Sequence, residues 1–185
     1  GTGLGVSGLL PDGRGGWVPL EGEGGHVTLP ASTARERVVM DGLIRRYGHA
    51  SAERVCCGQG LVDTCAILCE ADGVTAQGLD SASAVSEAAL KAGHPQALET
   101  LAIFCAMLGS VAGNLALTLG ARGGVYVGGG IVPRLGDWFH QSPFRERFDN
   151  KGRFTGLLQG MPVWVITSAQ SPALLGAARA LDTHP

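Results

Sequence analysis

LAIFCAMLGSVAGNLALTLGARGGVYVGGGIVPR, residues 101–134, is the stretch whose reading decides the fold. Its first part, 101–121, carries no charge over a length that could cross a bilayer. Gly109 and Gly113 form a GxxxG pair, a spacing that lets membrane helices approach closely. Other features favour a buried helix of a globular domain. Asn114 sits in mid-segment and needs a hydrogen-bond partner. The lead-in ALETL, 97–101, is amphipathic and carries Glu99, and no second spanning segment occurs. The small residues then mark tight packing against a sheet or another helix. GGVYVGGGIVPR, 123–134, continues as strand, glycine turn and helix start. A long core helix feeding a buried strand predicts an α/β fold with helices packed on a mixed sheet.

Composition agrees. A chain of 185 residues, 45% hydrophobic and 16% charged, can bury a sizeable core and is not a disordered one. Net charge is −2 without a basic cluster, and only Lys91 and Lys151 are lysines, which argues against nucleic acid as a partner. The 5 cysteines have no disulfide-framework spacing, so they read as reduced thiols of a cytosolic protein. Cys56, Cys57, Cys65 and Cys69 lack the CxxC pairs of a zinc ribbon, and no metal site is expected. Cys65 and Cys69, one helical turn apart among Ala66, Ile67 and Leu68, read as small buried hydrophobes. The opening GTGLGV has neither an initiator Met nor a signal peptide, which predicts a domain of a longer polypeptide.

Along the chain, 4–10 reads as a strand, PDGRGG at 11–16 as its turn and WVPL at 17–20 as the returning strand. Ser32 or Thr33 caps a helix to about Tyr47, with Glu36 placed for a capping box and Gly48 as the stop. Ser51 caps a second start. Helices are expected from Leu61 to about Glu70, at about 84–92 and at 96–120. Short helices and loops fill 137–155. PVWVITS, 162–168, is a second buried strand, and Pro172 opens a last helix to about Leu181.

Three glycine-rich turns could carry chemistry. GTGLG, 1–5, precedes a strand, and GGG, 128–130, follows one and opens a helix. Ligands gather at the carboxyl ends of strands in open α/β sheets, where backbone N–H groups are free. The alternative reading of GGG alone is a tight turn. The chain has no P-loop GxxxxGK[ST], and GGVYVGGGIVPR does not match the dinucleotide fingerprint GxGxxG. The third turn is EGEGGH, 21–26. A carboxylate accepts two hydrogen bonds side by side and so matches vicinal hydroxyls, and an imidazole donates or accepts beside it. Gly24 and Gly25 argue against a helix between Glu23 and His26 and predict a loop in which the two side chains converge. Glu53 is a third candidate, with a first-turn acid on a helix dipole as its ordinary reading. For His26 the ordinary reading is a structural histidine. No Ser/His/Asp triad follows from the spacing.

Taken together, GTGLGV, GEGGHV, GHASAERVCCGQGL, GNLALTLGARGGVYVGGGIVPR, FDNKGRF and PALLGAA, in this order, resemble the large lobe of the bacterial glucokinase family. That family belongs to the hexokinase–actin–sugar kinase ATPase superfamily. The resemblance implies an RNase H-like, actin-like ATPase lobe over 1–185 as a single domain, with the N-terminal small lobe missing. It implies ATP-dependent phosphorylation of glucose to glucose 6-phosphate in the cytoplasm, with ATP and Mg²⁺ required and a homodimer as the assembly. Glu23, His26 and Glu53 would then hold sugar hydroxyls. Gly1, Thr2 and Gly3 would face ATP phosphates, and Gly128, Gly129 and Gly130 would contact adenosine. The family's catalytic aspartate and its DxGGTN-type first phosphate loop lie upstream. No catalytic residue is therefore expected in this chain, and the piece alone should have negligible kinase activity. The alternative is a sugar-sensing lobe of a regulatory protein with the kinase fold. The CxCGxxGC zinc motif of the related repressor/kinase family is absent.

Overall fold

The computed structural model describes residues 3–168, 170 and 172–183. An antiparallel hairpin comes first, β1 (Gly8–Pro11) and β2 (Trp17–Leu20), in the register Gly8 to Leu20 and Pro11 to Trp17. Its turn is closed by the Asp12 carboxylate, which accepts from the backbone N–H groups of Arg14 and Gly16. The strand expected over 4–10 pairs only from Gly8. Leu4 is turned aside, its N–H donating to Glu53 rather than to a neighbouring strand.

A 3₁₀ turn at Gly24–His26 leads to α1 (Ala34–Tyr47), α2 (Ala52–Val55), α3 (Gly58–Asp72), α4 (Ala82–Leu90) and α5 (Pro95–Leu119). Then come β3 (Val125–Val127), the short helices α6 (Ile131–Leu135), α7 (Asp137–Gln141) and α8 (Phe144–Asp149), and a 3₁₀ turn at Gly152–Phe154. The chain ends with α9 (Thr155–Gln159), β4 (Val163–Val165) and α10 (Pro172–Thr183). The caps follow the expected chemistry. Thr33 and Glu36 form a reciprocal capping box, and Gly48 closes α1 in the left-handed conformation at φ 75°.

The strands pair as two two-stranded sheets, β1 with β2 and β3 with β4. The second pair is parallel, Val125 beside Val163 and Val127 beside Val165, and the helices α6 to α9 make the crossover such a pair requires. Val125 and Val127 face the core, while Tyr126 and Trp164 stack on the other face at 4.7 Å between ring centres. The class is α/β, with helices outweighing strands.

The apolar segment is the spine of the domain. In the most apolar 18-residue window of α5, 72% is buried, with α3, α4 and α8 packed around it. The GxxxG pair serves this packing. A Cβ on Gly109 would overlap the carbonyl oxygen of Phe144, and one on Gly113 would lie 2.5 Å from that of Phe148. The two glycines thus let the backbone of α8 lie directly on α5. Asn114, expected to need a partner, faces solvent instead. All 5 cysteines are free and buried, as small hydrophobes are. Burial pushes the Cys65 thiol up to about 11 and that of Cys105 up to about 12.

Arginine–carboxylate pairs tie distant elements. Arg147 on α8 donates to both oxygens of the buried Glu36 and, at 2.8 Å, to Ser32 Oγ. Arg35 forks between Asp72 and Glu99 with N···O distances of 2.7–2.8 Å, holding α1, α3 and α5 together. These carboxylates hold the Arg35 guanidinium pKa above its ordinary value, and the same bonds, with Gln96, keep Asp72 below its own.

Candidate functional site

The acid–histidine turn is built on close backbone approach. Against the expectation of a non-helical loop, Gly24–His26 form one 3₁₀ turn, closed by the His26 N–H donating to the Glu23 carbonyl at 3.0 Å. Helix propensity is a weak guide for so short a turn. The glycines are there for contact. A Cβ on Gly25 would overlap the carbonyl oxygen of Leu4, and one on Gly24 would lie 2.9 Å from Val6 Cβ. The expected convergence does occur. His26 Nε2 lies 3.9 Å from Glu23 Oε2, with side-chain exposures of 60% and 88% that leave both groups open to a ligand.

Glu53 is brought beside this turn by two backbone hydrogen bonds, which make one antiparallel bridge. Leu29 N–H donates to Ala50, Ala52 N–H donates to Val27, and Thr28 bridges Ser51. Ser51 Oγ caps α2 by accepting from the Arg54 N–H, which starts the helix one residue before Glu53. The residue after His26 is thereby bonded to the residue before Glu53. The Glu53 carboxylate is half-buried, and its Oε2 accepts from the Leu4 N–H at 2.9 Å. That long-range bond goes beyond the ordinary first-turn reading. Among the described residues Oε1 has no hydrogen-bond partner.

Behind the opening segment lies a cleft of about 200 Å³. Gly3, Gly128, Gly129 and Gly130 line it together, with Phe104 and Leu108 of α5 as its floor. Gly1 and Thr2 lie outside the described residues. Gly129 has φ 105°, a conformation that strains any residue bearing a Cβ. An apolar floor under a rim of bare backbone offers a flat ring a surface and polar groups an N–H edge. Glu23, His26 and Glu53 do not line the cleft. Residues 3–7 separate the two places: one side of this wall lines the cleft, and Gly24, Gly25 and Glu53 pack against Val6, Leu4 and Gly3 of the same segment.

Sequence reasoning missed the cleft floor and this wall. The floor had a signal, since Phe104, Leu108 and Val111 recur at helical spacing on a face away from Gly109 and Gly113. The wall had none, because the Leu4–Glu53 bond spans 49 residues. Cys56 lines the cleft, and burial drives its thiol pKa well above the ordinary range, which disfavours the thiolate. Among the described residues no three His, Cys, Asp or Glu side chains converge as a metal-binding group.

The fold has solved counterparts. It matches the crystal structure of a glucokinase from an Antarctic psychrotroph with a TM-score of 0.86 and 34% identity, over 98% of this chain and 56% of that one. The glucokinase of Balamuthia mandrillaris, solved with glucose, matches at 0.76 with 22% identity, over 91% and 48%, a likeness of fold. The fold is therefore the α/β fold of glucokinase structures. The family model described as Glucokinase matches residues 1–184, and the chain belongs to the glucokinase family. Glucokinases of Aromatoleum aromaticum and Chromobacterium violaceum are 55% and 52% identical, over 98% and 100% of this chain. The chain spans about half the length of these curated relatives, 54% and 52%.

Proposed function

We propose that residues 1–185 are the large lobe of an ATP-dependent glucokinase that transfers the γ-phosphoryl group of ATP to the 6-hydroxyl of glucose. The observation that carries this reading is the shared wall. An acid–histidine turn suited to vicinal hydroxyls and a glycine-lined cleft suited to a nucleotide lie on either side of residues 3–7. Glu23, His26 and Glu53 are assigned to sugar hydroxyls, the two carboxylates as paired acceptors and His26 as donor or acceptor. Gly1, Thr2 and Gly3 are assigned to ATP phosphates, and Gly128, Gly129 and Gly130 to adenosine. ATP enters as its Mg²⁺ complex, the usual form in phosphoryl transfer.

This lobe's part is to bind and orient. The proton acceptor and the first phosphate loop belong to a small lobe elsewhere in the polypeptide, and the two lobes close on the substrates. General-base assistance is worth about 10²–10⁴-fold, and closure also excludes water, so the lobe alone should be nearly inactive. A homodimer and a cytoplasmic location are expected from the family, the latter also from the buried reduced cysteines. The alternative, a sugar-sensing regulatory lobe, draws no support from relatives that are themselves named glucokinases.

The test is steady-state kinetics of the full-length enzyme. Glu23→Gln and His26→Ala should each raise the KM for glucose and leave that for ATP within about twofold. Losing a hydrogen bond to a charged group costs about 1.5–3 kcal/mol, or roughly tenfold or more for Glu23→Gln. Equal effects on both substrates would refute the sugar assignment.

A further inference from the structure

We infer that Glu53 is also a positioning residue for the opening glycine turn, and that it couples the sugar and nucleotide sites within this one lobe. The inference rests on the proposed function and adds a connection between its two sites.

The geometry is a closed ring of contacts. Glu53 Oε2 holds the Leu4 N–H at 2.9 Å. Gly3 lies so close to the same oxygen that a Cβ there would overlap it. The carbonyl of Leu4 lies against Gly25, where a Cβ would again overlap. Gly25 adjoins His26, and Val27, next along, accepts from the Ala52 N–H at 3.0 Å. Ala52 adjoins Glu53, which closes the ring. Each link is a hydrogen bond, a peptide bond or a backbone contact that only glycine permits. A shift of the opening turn therefore displaces the Glu53 carboxylate, and a shift of the carboxylate displaces the turn.

The two oxygens of Glu53 divide the work. Oε2 is committed to Leu4, and Oε1 has no partner among the described residues. A sugar hydroxyl donating to Oε1 fixes the plane of the carboxylate and so fixes Oε2 against the Leu4 N–H. The position of Gly3 and Leu4 is then already set when the nucleotide arrives. Coupling of this kind is reciprocal: the nucleotide must raise glucose affinity by the factor by which glucose raises nucleotide affinity.

The test is equilibrium binding to the full-length enzyme by calorimetry. Glucose is titrated with and without a non-hydrolysable ATP analogue and Mg²⁺. Gly3→Ala places a methyl group against Glu53 Oε2 while touching no sugar. It should weaken glucose binding without any nucleotide by at least about fivefold, the lower end of typical coupling, and should reduce the effect of the analogue on glucose affinity. Glu53→Gln keeps an oxygen for the Leu4 N–H but loses the charge. It should weaken glucose binding yet retain the effect of the analogue, a split that a merely structural role would not produce. If Gly3→Ala leaves nucleotide-free glucose affinity unchanged while Glu53→Gln weakens it, the coupling is refuted and the sugar assignment survives. If Glu53→Gln leaves glucose affinity unchanged, the sugar assignment of Glu53 fails, and the coupling with it. Should Gly3→Ala not fold, Glu53→Asp takes its place. The shortened carboxylate keeps its charge but withdraws from Leu4, and an undiminished effect of the analogue in that variant overturns the inference.

Discussion

Removing Arg147 should unlock the junction between α1 and α8, and the cost follows from what remains. The Glu36 side chain is 2% exposed and that of Arg147 13%, so the pair is nearly dry. In Arg147→Ala the carboxylate loses both guanidinium contacts, and Ser32 Oγ loses its donor. Glu36 keeps the Ser32 N–H at 2.6 Å and the Thr33 N–H at 3.1 Å. Leaving one member of a buried pair costs about 3–5 kcal/mol, and the two surviving donors put this case near 3 kcal/mol. That is roughly a hundredfold in the folding equilibrium. Urea unfolding of the full-length protein, followed by far-ultraviolet circular dichroism, measures it. Adding Glu36→Gln to Arg147→Ala should restore about 1 kcal/mol or more, because the unpaired buried charge is gone. A cost below about 1 kcal/mol for Arg147→Ala, or a double variant less stable than the single one, would refute the reasoning.

Three further outcomes are expected. Gly109→Ala forces a methyl group into the Phe144 carbonyl, and the overpacking should lower stability by about 1–3 kcal/mol in the same unfolding assay. Gly129→Ala, at φ 105°, strains the cleft turn and should raise the KM for ATP several-fold while sparing that for glucose. Burial, and then the nearby Arg147, hold the Lys151 pKa below its ordinary 10.5, so its charged form is disfavoured in the fold. The wild type should therefore gain stability as pH rises through the depressed value toward 10.5, and the advantage of Lys151→Met at neutral pH should shrink over that window. A pH-independent difference in unfolding midpoint would contradict this.

Much of the fold was legible because its signals are local. Thr33 with Glu36, Ser51, and Gly48 mark helix ends through bonds made within a few residues, and those helices begin and end as the caps require. The GxxxG pair told of close approach but not of what approaches. Only packing shows that Phe144 and Phe148 of α8 fill those notches. Gly24 and Gly25 misled for a related reason. Their helix propensity is poor, but contact with Leu4 and Val6 decides their conformation.

By itself the sequence determined the α/β class, the buried spine and the cap positions, and it marked the acid–histidine and glycine turns, because patterning and turn chemistry act over short separations. The tertiary structure decided that two glycine turns line one cleft, that Glu36 is buried against Arg147, and that Glu53 grips Leu4. Each of these joins residues far apart in the chain, where no periodicity or spacing records the contact and only chain closure brings donor to acceptor.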